Sequence, residues 1–232
     1  MSLVSAVTWL AVRELWISFR LVVVIALFLL AGALVVLRLD AGVQGPAGWY
    51  AIGLGFASVG AGALAADIFA GERRRGTAAW LASRAVPRVT LLVGWLLAIV
   101  AGSLVGLLPG AALAWLTIVP ALPLVDPPRF AIALVAVGSG ALAVLALGML
   151  AGALLPPHWA ALFSLALCAL VAAGALAVPV ARSLTPTSGY FLLAEISTEW
   201  PLSHALQAIG IGLASAAILL GAAGLALERA DL

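Results

Sequence analysis

Residues 71–88 read Gly-Glu-Arg-Arg-Arg-Gly-Thr-Ala-Ala-Trp-Leu-Ala-Ser-Arg-Ala-Val-Pro-Arg and concentrate the ionic chemistry of this 232-residue chain. Five of its eleven basic residues stand here: Arg73, Arg74, Arg75, Arg84 and Arg88. A guanidinium cluster of this kind grips anions, either lipid phosphates or the acidic groups of a protein that docks on it. Other ionisable groups are sparse. Asp67 precedes the cluster, and one of the cluster's arginines is its expected partner. Glu195 and Glu199 are four residues apart, so both fall on one face of a helix, where they would hold a cation or form the solvated side. His158 and His204 are far apart in sequence. Cys168 is the single cysteine, which excludes an intrachain disulfide and a cysteine metal cluster and leaves a small buried residue as its reading.

Catalytic patterns are missing. There is no His-Glu-x-x-His metal motif and no Gly-x-Ser-x-Gly elbow. A Gly-x-x-x-x-Gly-Lys phosphate loop is impossible, because all eleven basic residues are arginine. The expectation is therefore no catalytic residue, no metal site and no cofactor in this chain. Ionisable groups are also too few inside the apolar runs for a proton- or sodium-coupled carrier. If this chain moves something, a partner supplies the energy.

The elements that must position the cluster follow from composition. The chain is 66% hydrophobic and only 9% charged, with a mean hydropathy of +1.27. A soluble domain carries about 25% charged residues, so this is read as an integral membrane protein. The net charge of +2 is small, and the arginines sit at the edges of apolar runs, so the basic pI is no sign of nucleic acid. A helical span needs about 20 apolar residues. Six such segments are expected at 21–37, 49–70, 89–119, 130–155, 159–181 and 204–227. Their continuous apolarity reads as all-α and not as alternating barrel strands. Arg38, Asp40 and Gly45-Pro46 end the first span. Pro120, Pro123 and Asp126-Pro127-Pro128-Arg129 separate the third and fourth, and Pro156-Pro157 turns the fourth into the fifth.

With the N-terminus inside, the inner segments hold Arg13, Arg20, the five cluster arginines and Arg229, whereas the outer segments hold only Arg38, Arg129 and Arg182. The positive-inside rule then favours N-in and C-in. The first apolar run is read as a retained span and not as a signal peptide, since it is long, starts late and lacks a small-residue cleavage site.

Three further pieces complete the single transmembrane domain. Residues 1–20 place Leu3, Ala6, Val7, Leu10 and Ile17 on one helical face. Ser2, Ser5, Trp9, Arg13, Trp16 and Arg20 fall on the other, and Glu14 is a misfit. This suggests a helix lying in the interface with lipid headgroups, against the alternative of one long helix continuous with the first span. In residues 71–88, Gly76-Thr77 offers a helix start and Pro87 a stop, so a short helix parallel to the membrane is expected. On charge alone the favoured reading is a topology anchor that attracts anionic lipid. Residues 182–203 are too apolar for a free loop, with Tyr190, Phe191, Leu192, Leu193, Ile196 and Trp200, and too short for a span. A re-entrant or interface-lying helix is expected there. Gly102, Gly106 and Gly110 in the third span, and Gly148 and Gly152 in the fourth, form small-xxx-small patterns that let helix backbones approach.

Together these pieces resemble the permease subunits of type-2 ABC exporters. The stretch Asp67-Ile-Phe-Ala-Gly-Glu-Arg-Arg-Arg-Gly-Thr carries the likeness, with Glu72, Arg73, Gly76, Thr77, Leu81, Pro87 and Arg88 at the places of the family's loop pattern. Two positions depart from it: Trp95 follows Gly94 where a lysine is common, and Trp80 replaces a leucine. The loop covers about 22 residues, and the span count, N-terminal helix and outer segment extend the likeness over the chain. The resemblance implies that residues 71–88 form a coupling helix docking a separate cytoplasmic ATPase through Glu72, Arg73, Arg74, Arg75, Gly76, Thr77, Trp80, Leu81, Arg84, Pro87 and Arg88. It implies a connecting helix at 1–20 bearing Trp9, Arg13, Glu14, Trp16 and Arg20, and an outer gate bearing Tyr190, Phe191, Glu195 and Glu199. It also implies a second permease subunit, as homo- or heterodimer, ATP and Mg on the ATPase alone, contact with membrane lipid and none with nucleic acid, and a bacterial cell membrane. The haem-export permeases of cytochrome c maturation are similar in size and span number, but no haem-ligand signature selects them. A non-transporting membrane scaffold, with residues 71–88 as anchor only, is the competing reading.

Overall fold

The computed structural model describes residues 2–37, 45–74, 86–121, 125–197 and 200–229. Among the described residues the chain is all helical, without a strand. The helices are α1 (Leu3–Ile17), α2 (Arg20–Leu37), α3 (Gly45–Arg74), α4 (Arg88–Ala121), α5 (Pro127–Leu154), α6 (Pro157–Ala177), α7 (Pro179–Leu184), α8 (Ser188–Ala194) and α9 (Leu202–Arg229). Six of them, α2 to α6 and α9, are long and apolar enough to cross a membrane. This is the architecture of a multi-pass membrane protein.

The helices outrun the apolar segments that announce them. α3 continues to Arg74, so Glu72, Arg73 and Arg74 belong to its last turn and not to a loop. Hydropathy marks where a chain stays in lipid, whereas a helix ends where its backbone loses its ladder. α4 begins at Arg88 and runs on through Pro109. The fifth apolar segment is shorter than expected: α6 stops at Ala177, and α7 starts afresh at Pro179. Proline lacks the N–H that would continue the ladder, and Val178 before it is extended, at φ −122° and ψ 108°.

The N-terminal helix is separate from the first span. α1 ends at a capped turn in which the Ser18 N–H bonds to the Glu14 carbonyl and the Phe19 N–H to that of Trp16. It packs on the bundle along one stripe and leaves most of its apolar, lipid-side face exposed. Val7, Ala11 and Leu15 are buried, while Leu3, Leu10 and Ile17 are exposed along with Trp9 and Trp16. Burial follows a strict four-residue stripe because α1 lies along α4, where Val7 meets Gly94 and Leu91.

Glycine positions set the packing. Leu21, Ile25 and Phe28 of α2 meet Gly102, Gly106 and Gly110 of α4, so these two helices run parallel. Gly62 and Ala66 of α3 meet Gly148 and Gly152 of α5, again in parallel. α9 joins the same side of the bundle, with Gly212 against Ser139 and Ala216 packed with Ala143 and Ala146. α2 and α3 are antiparallel, Ala31 facing Gly53 and Leu27 facing Gly60. A Cβ on Gly110 would stand 2.6 Å from the Phe28 carbonyl oxygen, and one on Gly152 2.7 Å from that of Ala66. The glycines of the small-xxx-small patterns thus serve contacts within this chain.

Overpacking such contacts costs about 1–3 kcal/mol. Gly106→Leu and Gly148→Leu should each lower the thermal unfolding midpoint of the purified protein in detergent. Gly138→Ala and Gly174→Ala, where an added Cβ meets open space, should not lower it, and alanine's better helix propensity should hold or raise it.

Candidate functional site

The helix directions bring one end of every span together: the starts of α2, α4 and α6 and the ends of α3, α5 and α9. Three arginine contacts tie this end. The Arg20 guanidinium donates to the Asp67 carboxylate at 3.2 Å, joining α2 to α3. Arg73 donates to the carbonyls of Gly152 (3.1 Å) and Ala153 at the end of α5. Arg88 donates to the carbonyls of Leu227 and Glu228 (3.0 Å) at the end of α9.

These contacts answer a local need. The last carbonyls of a helix have no intrahelical donor, and the C-terminus is the negative pole of the helix dipole. α5 has no basic residue in its own last turn, so Arg73 supplies a charge from α3. α9 ends with Arg229 of its own and receives Arg88 in addition. The parallel packing of α3 on α5 makes the first contact possible: in the register of Gly62 at Gly148 and Ala66 at Gly152, α3 runs past the end of α5, and Arg73 reaches back to its last carbonyls.

The expected pairing of Asp67 with a cluster arginine is therefore corrected, because its partner is Arg20. α3 stays helical through this stretch, and six residues of helix turn Arg73 about 120° away from Asp67. Asp67 faces α2 and Arg73 faces α5. Arg20, placed by the sequence on the polar face of an interfacial helix, is instead the first residue of α2.

The remaining cluster residues divide. Glu72 is buried, whereas Arg74 and Pro87 are exposed. Arg75, Gly76, Thr77, Trp80, Leu81 and Arg84, with the short helix expected around them, lie outside the described residues. The cluster's two flanks are thus fixed to the bundle: Arg73 before it and Arg88 after it each hold the end of another helix. Trp9, Arg13, Glu14 and Trp16 are exposed on α1.

The opposite half of the bundle holds the α7–α8 segment. Tyr190 donates its hydroxyl to Ser58 at 2.8 Å, and Ser58 donates in turn to the Leu54 carbonyl at 2.7 Å. The Pro186 carbonyl lies against Gly140, and Gly189 packs on the Ala136 and Val137 backbone. Ser58 and Gly140 are near the middles of α3 and α5, so this segment dips to about half the depth of the bundle. Irregular backbone at such depth requires burial in protein. Arg182 stacks over Phe191 at 5.2 Å and donates to the Ala175 carbonyl at 3.2 Å. Arg129 stacks over Trp200 at 4.9 Å. Glu195 is exposed, and Glu199 lies outside the described residues, so the pair's cation reading has no geometry. Among the described residues no cluster of His, Cys, Asp or Glu could hold a metal ion.

Sequence reasoning missed Ser58, which binds Tyr190, and the roles of Arg73 and Arg88 as donors to other helices. A lone serine in an apolar run gives no signal until its neighbour is known. The arginines did carry one, since α5 ends in Ala-Leu-Leu-Pro-Pro with neither glycine nor base to satisfy it.

Arg73→Ala should destabilise the protein by about 1–3 kcal/mol, read as a lower unfolding midpoint in detergent. Arg74→Ala, at the exposed neighbour, should not. Equal effects would remove the helix-end role of Arg73.

No protein-family model, no curated protein and no solved structure matches this chain.

Proposed function

We propose that this chain is the membrane permease subunit of an ATP-driven export system, in which residues 71–88 dock and couple a separate cytoplasmic ATPase. The observation that carries this reading is the anchoring of both flanks of that connector. α3 and α4 lead into it directly, and Arg73 and Arg88 bind the ends of α5 and α9. A push on the connector therefore bears on four membrane helices at once, which is what coupling to an external motor demands. A topology anchor needs only positive charge, without contacts to distant helices.

The other supports are chemical. The arginine-rich end faces the cytoplasm by the positive-inside rule, giving N-in and C-in. The chain has no lysine for a phosphate loop, so ATP and Mg belong to the partner. The loop pattern of Glu72, Arg73, Gly76, Thr77, Leu81, Pro87 and Arg88 resembles that of type-2 ABC exporters. A second permease subunit completes the pathway, and the apolar spans suit an apolar or amphipathic cargo. In this reading the α7–α8 segment forms the outer gate.

Affinity purification of the chain from its host in mild detergent, followed by mass spectrometry, tests the assignment. A stoichiometric soluble ATPase is expected, and Leu81→Asp or Gly76→Pro should lose it while the permease itself still elutes as a single species. Purification without an ATPase, or retention of the ATPase by both variants, would sink the coupling role and leave a membrane scaffold.

A further inference from the structure

The joint between α1 and α2 falls where an amphipathic pattern gives way to continuous apolarity. Residues 14–24 read Glu-Leu-Trp-Ile-Ser-Phe-Arg-Leu-Val-Val-Val, without glycine, proline or asparagine. No residue there favours a left-handed turn. Yet the chain turns at Phe19, whose φ is 59°, the one positive φ at a non-glycine residue among the described residues. The left-handed region is unfavourable for an aromatic residue, and glycine is the usual occupant of such a helix end. The Phe19 side chain does not hold the turn, because it is 72% exposed. Helical bonding resumes at once, with the Val23 N–H on the Phe19 carbonyl.

Tertiary contacts on either side impose the bend. α2 follows α4 in a constant register: Leu21 at Gly102, Ile25 at Gly106 and, within one residue, Phe28 at Gly110. The same register carried backwards would set Val7 beside Arg88, the first residue of α4, and Leu3 beyond it. In the structure Val7 sits instead at Leu91 and Gly94. Bending therefore draws α1 up along α4 and away from the connector. On the other side of the joint, Arg20 is held by Asp67 of α3, each about one-third exposed.

We infer that the Phe19 joint is a strained two-state hinge, whose alternative is one continuous helix from α1 into α2, and that the Arg20–Asp67 pair is the catch that keeps it bent. The straight form relieves the left-handed residue and recovers the broken helical ladder. It gives up the ion pair and the seating of Val7 on α4. It also carries the start of α1 past Arg88, the start of α4. A strained conformation persists only where its surroundings over-determine it, and here the restraint comes from α3, the helix that leads into the connector. The inference rests on the joint's own geometry and stands whether or not an ATPase docks there.

The test uses the full chain in lipid nanodiscs, with Cys168→Ala and spin labels on cysteines at Leu10 and Leu30, both exposed. A continuous helix would separate the two Cα atoms by about 30 Å, and the bent form by less. Pulsed dipolar spectroscopy should give a single short distance for the parent. Asp67→Asn, and equally Arg20→Gln, should add a long population of about a tenth or more. Adding Phe19→Gly, which accepts the left-handed turn without strain, should remove that population. Phe19→Gly alone should keep the short distance and raise the unfolding midpoint. A single short distance in both pair variants would overturn the catch. A lower midpoint in Phe19→Gly, or a long population that it fails to suppress, would overturn the strain.

Discussion

Backbone-to-backbone contact at glycine is the constraint on which this structure depends. Helices in lipid gain nothing by hiding apolar side chains from a solvent as apolar as they are, so they associate where their backbones can touch. α2 on α4 and α3 on α5 do this at Gly106 and Gly110 and at Gly62, Gly148 and Gly152. Dispersion falls steeply with distance, so such contacts hold only in one register. Register in turn fixes direction and level, and both helix pairs are parallel. Every later feature of the molecule follows from which ends this brings together.

The first consequence is the arginine-rich end. Because α3 packs in parallel on α5 and runs past its end, Arg73 of the first reaches back to the orphan carbonyls of the second. Because α9 packs in parallel on α5 and also finishes there, Arg88 reaches its carbonyls from the start of α4. Guanidinium suits this task, since its several donors can serve two adjacent carbonyls at once, and it keeps its charge at any physiological pH. The same residues that would mark the cytoplasmic side by charge also close the ends of the helices. Two of the five cluster arginines, Arg73 and Arg88, are thus committed inward.

The number and rough limits of the spans were legible because span length is set by membrane thickness and apolarity by the solvent, both one-dimensional properties of the sequence. Helix ends were less legible. Glu72 to Arg74 read as loop by charge, yet the ladder of α3 runs through them and turns Arg73 toward the end of α5. The stripe by which α1 packs on the bundle was not legible, because amphipathic patterning separates water from lipid, whereas Val7, Ala11 and Leu15 are set by the fit of α1 along α4 at Gly94. The break between α1 and α2 was legible as the change from an amphipathic pattern to continuous apolarity near Arg20, but the left-handed turn at Phe19 was not, since no glycine or asparagine marks it. The glycine patterns were readable as close-approach sites, but which helix they approach depends on the fold. Polar partnerships between spans, such as Tyr190 with Ser58, stay invisible to single-sequence reading for the same reason.

α3 and α5 also link the two halves of the molecule. The charged end acts on them through Arg20, Asp67 and Arg73. The dipping segment holds them at Ser58, Ala136 and Gly140. Between these levels lie the Gly62, Gly148 and Gly152 contacts, where the backbones leave no room to slide. Packed helices with interlocked backbones move as a body, because a shear of even one residue would drive a Cβ into a carbonyl. On the exporter reading, a displacement at residues 71–88 therefore need not travel along a chain of side chains to reach the α7–α8 segment. It tilts the α3–α5 pair, and the segment seated on that pair tilts with it.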